Sequence, residues 1–282
     1  MISRLAIVGV GLLGGSVARA ARARGLAGHI TGIGRDRERL APALKDGTLD
    51  AVTTDVAAGV RDADLIVLAA TVLANDALLA QVWQSAPPGA IVTDVGSTKR
   101  GIVAAAARLG EPTRIRFVGS HPMAGSERSG YAIARADLLE GATVIVTPTD
   151  ASDPDAVKTL VGFWEAAGAR VVTMDPDTHD RAVGAISHLP HVVAWALVDA
   201  VARFEPAALD VAARGFKDTT RIAASDPLVW KEILLANRDA VVASLRAFRA
   251  ALDDLERHIA AGDGAAMEAT FARIKALRET IK

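Results

Sequence analysis

Hydrophobic residues in about the first 170 positions of the chain follow two alternating patterns. Short runs of Val, Ile, Leu and Ala with few polar interruptions predict strands that are buried on both faces. Between them, apolar residues recur at helical spacing, and this alternation is typical of a parallel sheet covered by helices. The predicted strands span residues 5–8, 29–33, 65–68, 90–94, 116–119, 143–147 and 170–173, and the predicted helices 13–24, 37–46, 74–84, 99–108 and 154–167.

The pattern changes after the tripeptide at residues 175–177, Asp-Pro-Asp. From there to the last residue the apolar positions keep helical spacing and predict no strand. The expected helices are 182–186, 188–204, 228–235, 239–261 and 265–281. The sequence therefore predicts an α/β domain over residues 1–175 and an all-helical domain over residues 176–282.

Composition excludes several classes of protein. The chain has 282 residues, a formal net charge of −1 and no cysteine. Disulfides, thiolate nucleophiles and iron–sulfur clusters are therefore excluded, and no other group of residues suggests a metal site. A nucleic-acid-binding protein would show a basic face and more aromatic residues than the 4% present here.

Two apolar segments need an interpretation that does not involve a membrane. The longest, residues 184–201, includes His188, His191 and Asp199, so we expect a buried core helix. The N-terminal run resembles a signal peptide, but glycines at positions 9, 11, 14 and 15 would break its apolar region. We therefore expect a soluble, cytoplasmic protein.

The first strand is followed by the sequence Gly9-Val10-Gly11-Leu12-Leu13-Gly14, which opens a predicted helix. A lone Gly-x-Gly-x-x-Gly is a weak signal, but a strand, a turn and a helix are the context that this motif requires. The first glycine permits the tight turn, the second lets a pyrophosphate approach the backbone, and the third lets the helix pack on the strand. This pattern predicts a Rossmann-type dinucleotide-binding domain.

The end of the second strand bears on the choice of cofactor. NAD enzymes place an acidic residue there to bind the ribose hydroxyls, whereas this chain has Gly34. Arg35 and Arg37 follow, so the position offers space and positive charge for the 2′-phosphate of NADP. NADP is favoured over NAD, although Asp36 would reach the ribose if the register differed by two residues, and the arginines would also suit a solvated helix start.

Two further strands end in residues suited to chemistry. Ser97 follows the strand at 90–94, where we expect it to cap the next helix, and His121 follows the strand at 116–119. Open α/β sheets bind ligands at this edge. In the helical domain, Lys217 and Arg221 are four residues apart, so one helical face could present both cations to a dicarboxylate. Alternatively, these residues are a helix cap, a loop histidine and a solvated basic pair.

Taken together, the motifs resemble those of the prephenate/arogenate dehydrogenase family of tyrosine biosynthesis. The resemblance covers nearly the whole chain and rests on the segments at 9–16 (GVGLLGGS), 94–99 (DVGSTK), 119–127 (GSHPMAGSE), 187–191 (SHLPH) and 215–223 (GFKDTTRIA). It implies oxidation of a cyclohexadienol with loss of CO₂, which gives 4-hydroxyphenylpyruvate from prephenate or tyrosine from arogenate. Prephenate is the favoured substrate, with arogenate or both compounds as the alternatives.

The resemblance also implies roles for individual residues. His121 would accept the proton of the ring hydroxyl, a task that suits a neutral imidazole, and Ser97 would orient that hydroxyl. Arg221 would bind a substrate carboxylate. The other substrate-binding residues implied are Lys217, His188, Ser126 and Glu127.

Further expectations follow from the same resemblance. The chain would be a homodimer through its helical domain, would act without a metal, and would have neither a fused chorismate mutase nor a C-terminal regulatory domain. His29, His179 and His258 are expected to be structural. Two other readings remain: a β-hydroxyacid-type dehydrogenase, or a non-catalytic nucleotide sensor, which would not need His121.

Overall fold

The computed structural model describes residues 2–110, 115–126 and 128–281. Among the described residues up to Thr173, nine strands and six α-helices form. The strands are β1 Ile2–Val8, β2 Ala27–Ile33, β3 Ala51–Thr53, β4 Leu65–Leu68, β5 Ile91–Asp94, β6 Arg116–Phe117, β7 Gly119–Pro122, β8 Thr143–Thr147 and β9 Arg170–Thr173. The longer helices here are α1 Leu12–Ala23, α2 Arg37–Lys45, α4 Val72–Ser85, α5 Arg100–Arg108 and α6 Pro154–Ala166, with the short α3 at Val56–Val60.

Six strands form a parallel sheet in the order β3-β2-β1-β4-β5-β6. The chain reverses direction of winding between β1 and β4, so the loops that follow these strands open a crevice at the carboxyl edge, where such sheets bind ligands. Strands β1 and β4 supply fully buried apolar residues to the core on both faces of the sheet. The predicted nucleotide-binding architecture is confirmed.

The strand predicted at 116–119 is wrong in one respect, because it is divided between two sheets. Strand β6 ends the parallel sheet, whereas β7 starts a separate three-stranded sheet, β7-β8-β9, in which β7 runs antiparallel to β8. Gly119 stands at the division, and a Cβ there would lie 2.6 Å from the Thr147 hydroxyl. The absence of a side chain lets the chain cross closely from one sheet to the other, and this crossing places His121 within β7.

From Pro176 onward the described residues form helices only. These are α7 Pro176–Val183, α8 Leu189–Phe204, α9 Arg214–Thr220, α10 Pro227–Ala236, α11 Arg238–Ala260 and α12 Gly264–Glu279. One π-helical turn, Gly184–His188, joins α7 to α8, and 3₁₀ turns at Pro206–Val211 and Arg221–Ala224 flank α9.

The apolar segment at 184–201 is not the buried core helix that the sequence predicts. Within α8 only Ala194 is buried, and Phe204 at its end is 91% exposed. Residues 176–204 form one helical stretch that is long and apolar enough to cross a membrane by length and composition alone. The fully buried residues His179, Asp180 and His188 interrupt that stretch with polar contacts inside the protein. The described residues therefore cover the apolar face of α8 only in part.

The glycines of the first turn have different structural duties. Gly9 has φ +101°, a conformation that other residues rarely adopt, and a Cβ there would lie 2.6 Å from the Ala69 carbonyl oxygen. A Cβ on Gly14 would lie 2.0 Å from the Gly9 carbonyl oxygen, so helix α1 packs on the turn only because this position has no side chain. At Gly11, by contrast, no atom lies within 4 Å of a Cβ position.

We expect Gly14→Ala to lower the free energy of unfolding by about 1–3 kcal/mol, because the added methyl group overpacks the turn. The matched variant Gly11→Ala should leave the stability of the ligand-free protein within about 0.5 kcal/mol. Urea denaturation of both variants checks this. Equal stability of Gly14→Ala and the parent protein would contradict the packing described for this turn.

Candidate active site

His121 occupies the first strand of the smaller sheet, next to the carboxyl edge of the parallel sheet. The preceding residue anchors the strand, because Ser120 Oγ donates a hydrogen bond to the Asp94 carbonyl oxygen at 2.7 Å and lies 2.9 Å from Thr93 Oγ1. His121 itself is 7% exposed. The end of β5 and the start of β7 are thereby held together, and His121 is fixed against the region where a dinucleotide would bind.

A chain of three buried groups leads away from His121. His121 Nδ1 lies 2.9 Å from His179 Nε2, and His179 Nδ1 lies 2.8 Å from Asp180 Oδ1. His179 and Asp180 are fully buried on α7. The nucleotide-binding part of the chain supplies the first imidazole, and the helical part supplies the second imidazole and the carboxylate.

The carboxylate determines where the protons of this chain lie. Ionised Asp180 only accepts, so His179 Nδ1 donates to it and His179 Nε2 keeps its lone pair. His121 Nδ1 then donates to His179, which leaves a lone pair on His121 Nε2. Burial, followed by the electrostatic effect of His179, Lys99 and His188, holds the pKa of His121 well below its usual 6.5. His121 is therefore a neutral imidazole whose Nε2 lone pair is available to accept a proton.

Asp180 also joins the two parts of the chain. Its Oδ1 accepts from the backbone N–H of Lys99 at 2.7 Å, and its Oδ2 accepts from the backbone N–H of Arg100 at 3.0 Å and from Arg100 Nε at 3.2 Å. Burial alone would raise the pKa of Asp180, but the hydrogen bonds from His179 and these amides outweigh it and lower that pKa. The carboxylate thus caps the N-terminus of α5 from another domain.

This cap corrects the structural part of the expectation for Ser97. Helix α5 begins at Arg100 with Lys99 as its N-cap residue, and Ser97 lies half-buried in the loop before it without capping the helix. The reason is that Asp180 already satisfies the exposed amides of the first turn. Ser97 still lies in the loop that leaves the carboxyl end of β5, at the ligand-binding edge of the sheet.

Beneath this loop lies a buried ion pair between Lys99 Nζ and Asp94 Oδ2, with side chains 0% and 1% exposed. Asp94 Oδ2 also accepts from the backbone N–H of Gly96 at 2.9 Å. Burial raises the pKa of Asp94 and lowers that of Lys99, while their mutual attraction opposes both changes. The charge of Lys99 is also one of those that keep the pKa of His121 low.

The two sequence motifs of the helical domain, residues 187–191 and 215–223, lie close to each other. His191 stacks on Trp230 with ring centroids 3.4 Å apart, and Trp195 Nε1 donates to the carbonyl oxygen of Ala223 at 2.8 Å. That bond ties α8 to the 3₁₀ turn that Arg221 begins. Burial lowers the pKa of His191, its bond to the Ser187 carbonyl oxygen opposes that change, and the positive charge of Arg221 lowers the pKa further.

The remaining substrate-binding candidates lie in different surroundings. His188 is fully buried, whereas Lys217 and Ser126 are exposed, and Glu127 lies outside the described residues. Lys217 and Arg221 do not share one α-helix, because α9 ends at Thr220 and Arg221 starts a 3₁₀ turn. Arg221, which is also exposed, acts electrostatically on His191 three residues after the buried His188, whereas Lys217 lies on the preceding helix.

The first turn of α1 fits a dinucleotide. The helix begins at Leu12 and Leu13 with Gly11 as its N-cap residue, and no side chain caps its amides. Those amides and the positive end of the helix dipole suit a pyrophosphate, which the open space above Gly11 would admit.

The second strand ends at Ile33, so Gly34 occupies the position at its carboxyl end that the sequence predicts. Arg35 and Arg37 are exposed beside it. Asp36 is engaged locally, because its side chain accepts from the backbone N–H of Glu38 at 2.8 Å as the N-cap of α2. Arg35 and Arg37 therefore present positive charge at the end of β2, the Gly34 position is packed against Leu40, and the Asp36 side chain holds the helix start.

Sequence reasoning missed the residues that hold His121 in place. His179 is expected to be structural, and its hydrogen-bond contact with His121 is one that the sequence did not predict. Asp180, Lys99 and Asp94 were not singled out as functional. The available signal was a His-Asp pair one turn after a helix start. This signal becomes specific only when the fold brings His179 into contact with His121, which lies 58 residues earlier in the sequence.

A glycine-rich turn before a helix, next to an oriented neutral imidazole and cationic side chains, defines a nicotinamide-dinucleotide-dependent dehydrogenase. Two family models match: the prephenate dehydrogenase nucleotide-binding domain over residues 17–173 and the prephenate dehydrogenase dimerization domain over residues 175–273. The chain belongs to the prephenate dehydrogenase family.

Individual relatives agree with this assignment. The prephenate dehydrogenase of Bacillus subtilis is 35% identical over 283 residues, which cover 99% of this chain and 76% of the relative. The cyclohexadienyl dehydrogenase of Zymomonas mobilis is 34% identical over 275 residues, which cover 94% and 91%. The solved structure of Aquifex aeolicus prephenate dehydrogenase with hydroxyphenyl propionate and NAD⁺ matches with a TM-score of 0.93 at 34% identity, covering 100% of this chain and 99% of that chain.

The buried neutral histidines make stability depend on pH. Burial lowers the pKa of His188 to about 4, so between that pH and 6.5 the unfolded chain binds a proton at this residue and the folded chain does not. Stability should therefore fall as the pH falls from 6.5, by up to about 1.4 kcal/mol per pH unit for each such group. Urea denaturation at several pH values measures the slope.

The matched variant His188→Gln should show a shallower slope across the same window. Its side chain cannot titrate, so one of the groups that oppose folding at acidic pH is removed. An identical slope in the two proteins would show that His188 is protonated to the same extent in the folded and unfolded chains.

Proposed function

We propose that this enzyme oxidises prephenate to 4-hydroxyphenylpyruvate with loss of CO₂, as a step in tyrosine biosynthesis. The observation that supports this most strongly is the neutral His121 base, oriented through His179 by the carboxylate of Asp180. An arogenate or broad cyclohexadienyl dehydrogenase is the alternative, and the cyclohexadienyl dehydrogenase among the relatives favours keeping it.

The reaction asks little of the protein beyond alignment and one proton acceptor. His121 Nε2 takes the proton of the ring hydroxyl as the hydrogen on the carbinol carbon leaves as hydride. The ring carboxylate departs as CO₂, its electron pair completes the aromatic ring, and the proton can return to the new phenol oxygen. Ser97 is proposed to orient the hydroxyl toward His121. Because aromatisation drives the reaction, no metal is needed.

We propose that Gly9, Gly11 and Gly14 hold the cofactor pyrophosphate, with Leu12 and Leu13 in the first helical turn. The bound cofactor supplies the hydride acceptor. The position at the end of β2 supports NADP over NAD, because Gly34 carries no acidic side chain for the ribose hydroxyls and the exposed Arg35 and Arg37 would pair with a 2′-phosphate. The NAD⁺ complex of the Aquifex relative keeps NAD as the alternative.

The proposed substrate carries two carboxylates, and the helical part supplies the polar and cationic side chains that would bind them. Arg221, next to His191, is proposed to bind one carboxylate, and His188 to complete the polar wall. Lys217, Ser126 and Glu127 are proposed by resemblance; the first two are exposed, as Arg221 is, and the third lies outside the described residues.

We further propose that residues 1–175 bind the cofactor and that residues 176–282 bind substrate and pair two copies of the chain in the cytoplasm. Exposed apolar side chains support the dimer, among them Phe204 and Phe271, and the matching family model is a dimerization domain. Sedimentation at micromolar concentration should give about twice the chain mass of 29.2 kDa. A monomer under those conditions would contradict this assembly.

The reaction is tested by measuring initial rates for each pairing of NAD⁺ or NADP⁺ with prephenate or arogenate. We expect the largest kcat/KM with prephenate and NADP⁺, and Arg221→Ala should raise KM for the keto acid by about tenfold, the scale of one lost charged hydrogen bond.

Other results would change specific parts of the proposal. A preference for NAD⁺ would remove the role given to Arg35 and Arg37, and turnover of arogenate alone would replace the substrate. If all four pairings were inactive while the protein still bound cofactor, the proposed reaction would be wrong.

A further inference from the structure

Asn237 joins four elements at the centre of the helical part. It is fully buried between α10 and α11. Its Nδ2 donates to the carbonyl oxygen of Asp180 at 2.7 Å and lies 3.1 Å from His188 Nδ1, and its Oδ1 accepts from an Arg100 guanidinium nitrogen at 3.0 Å. Every polar atom of this amide is used by a group at the interface of the two domains.

These contacts determine which way the amide faces. The Arg100 guanidinium has only donors, so it requires the amide oxygen, and the Asp180 carbonyl has only acceptors, so it requires the amide nitrogen. Nδ2 therefore donates to His188 Nδ1 as well. Since Nδ1 accepts, the single proton of the neutral His188 ring must lie on Nε2.

The proton on Nε2 has no partner in the described part of the chain. His188 is fully buried, and its Nε2 is one of the few buried side-chain nitrogens there without a hydrogen bond. A buried donor without an acceptor is unfavourable by about 1–3 kcal/mol, and such groups are rare unless a ligand or water satisfies them. The residue also ends a π-helical turn, a feature that is frequent at functional sites.

We propose that Asn237 is a positioning residue that fixes His188 as an Nε2–H donor to an oxygen of the bound substrate. This inference rests on the proposed function. Contacts link His188 to His121, because Asn237 bonds both His188 Nδ1 and the Asp180 carbonyl oxygen, and His179, next to Asp180, contacts His121. The two imidazoles would then serve one site with opposite duties. His121 presents a lone pair at Nε2, and His188 presents a proton.

The tautomer of His188 can be measured without substrate or turnover. The chain has six histidines, so ¹⁵N-labelled imidazoles give a small set of NMR signals, and His188→Gln identifies the signal of His188 by its loss. In the ligand-free protein at neutral pH we expect the proton on Nε2 and a lone pair on Nδ1. A proton on Nδ1 would overturn the proposal, and this result needs no substitution at Asn237.

Adding hydroxyphenyl propionate with NAD⁺, the pair bound by the Aquifex relative, should shift the resonance of the Nε2 proton. The structure also offers a different acceptor, because His188 stands edge-on to Trp230 with centroids 5.9 Å apart. A bound ligand that leaves the proton resonance unchanged would assign the N–H to the indole face and overturn the role in substrate binding.

Asn237→Asp tests the positioning role with an isosteric side chain. A carboxylate oxygen in place of Nδ2 accepts only, so the His188 proton should move to Nδ1 and the dissociation constant of hydroxyphenyl propionate should rise about tenfold. The dissociation constant of NAD⁺ should change less than about twofold, since Asn237 does not contact the first turn of α1.

The matched background is His188→Gln, whose side-chain amide carries its own N–H donor and has no tautomer. There, Asn237→Asp should change ligand affinity less than about twofold. An equal loss in both backgrounds would show a purely structural role for Asn237 and overturn the proposal. Failure of the proposed function would instead appear as inactivity toward both prephenate and arogenate, whatever the tautomer of His188.

Discussion

The structure depends on one buried carboxylate. Asp180 lies on α7, the first helix of the helical part, and its side chain reaches the start of α5 in the nucleotide-binding part. There it accepts hydrogen bonds from the backbone amides of Lys99 and Arg100 and from the Arg100 guanidinium. The same carboxylate holds His179, and through it His121. One carboxylate therefore takes part both in the contact between the two domains and in the hydrogen-bond chain that assigns the ring protons of His121.

The interior around this carboxylate is arranged to keep imidazoles neutral. Burial is the largest cause of the low pKa of His121 and of His188, and the buried Lys99 adds to the effect at His121. Charge is confined to pairs with partners, such as Lys99 with Asp94, because an unpaired ion would be far too costly at this depth. Neutral imidazoles whose ring nitrogens are assigned by their neighbours can accept a proton at one position and donate at another.

Much of this fold could be predicted from the sequence, because the spacing of apolar residues and the residue types of the turns depend only on neighbouring positions in the chain. The strand ending at Val8, the glycine turn and the helix after it follow from such signals, as does the helical region after Pro176. The division at Gly119 could not be predicted, since it depends on contact with Thr147 from a later strand. The contact between His179 and His121 could not be predicted for the same reason, because only the folded chain brings these two side chains to within 2.9 Å of each other.

Replacing Asp180 with asparagine and measuring kcat, cofactor affinity and stability together tests most directly whether this carboxylate orients His121. An amide cannot hold His179 in the required tautomer, and in a comparable carboxylate–histidine–nucleophile arrangement the same change lowers kcat by about 10⁴. We predict a fall in kcat of at least about 10² for Asp180→Asn, with cofactor affinity changed less than about twofold in the folded protein. A kcat close to that of the parent enzyme would contradict the claim that this carboxylate orients the base.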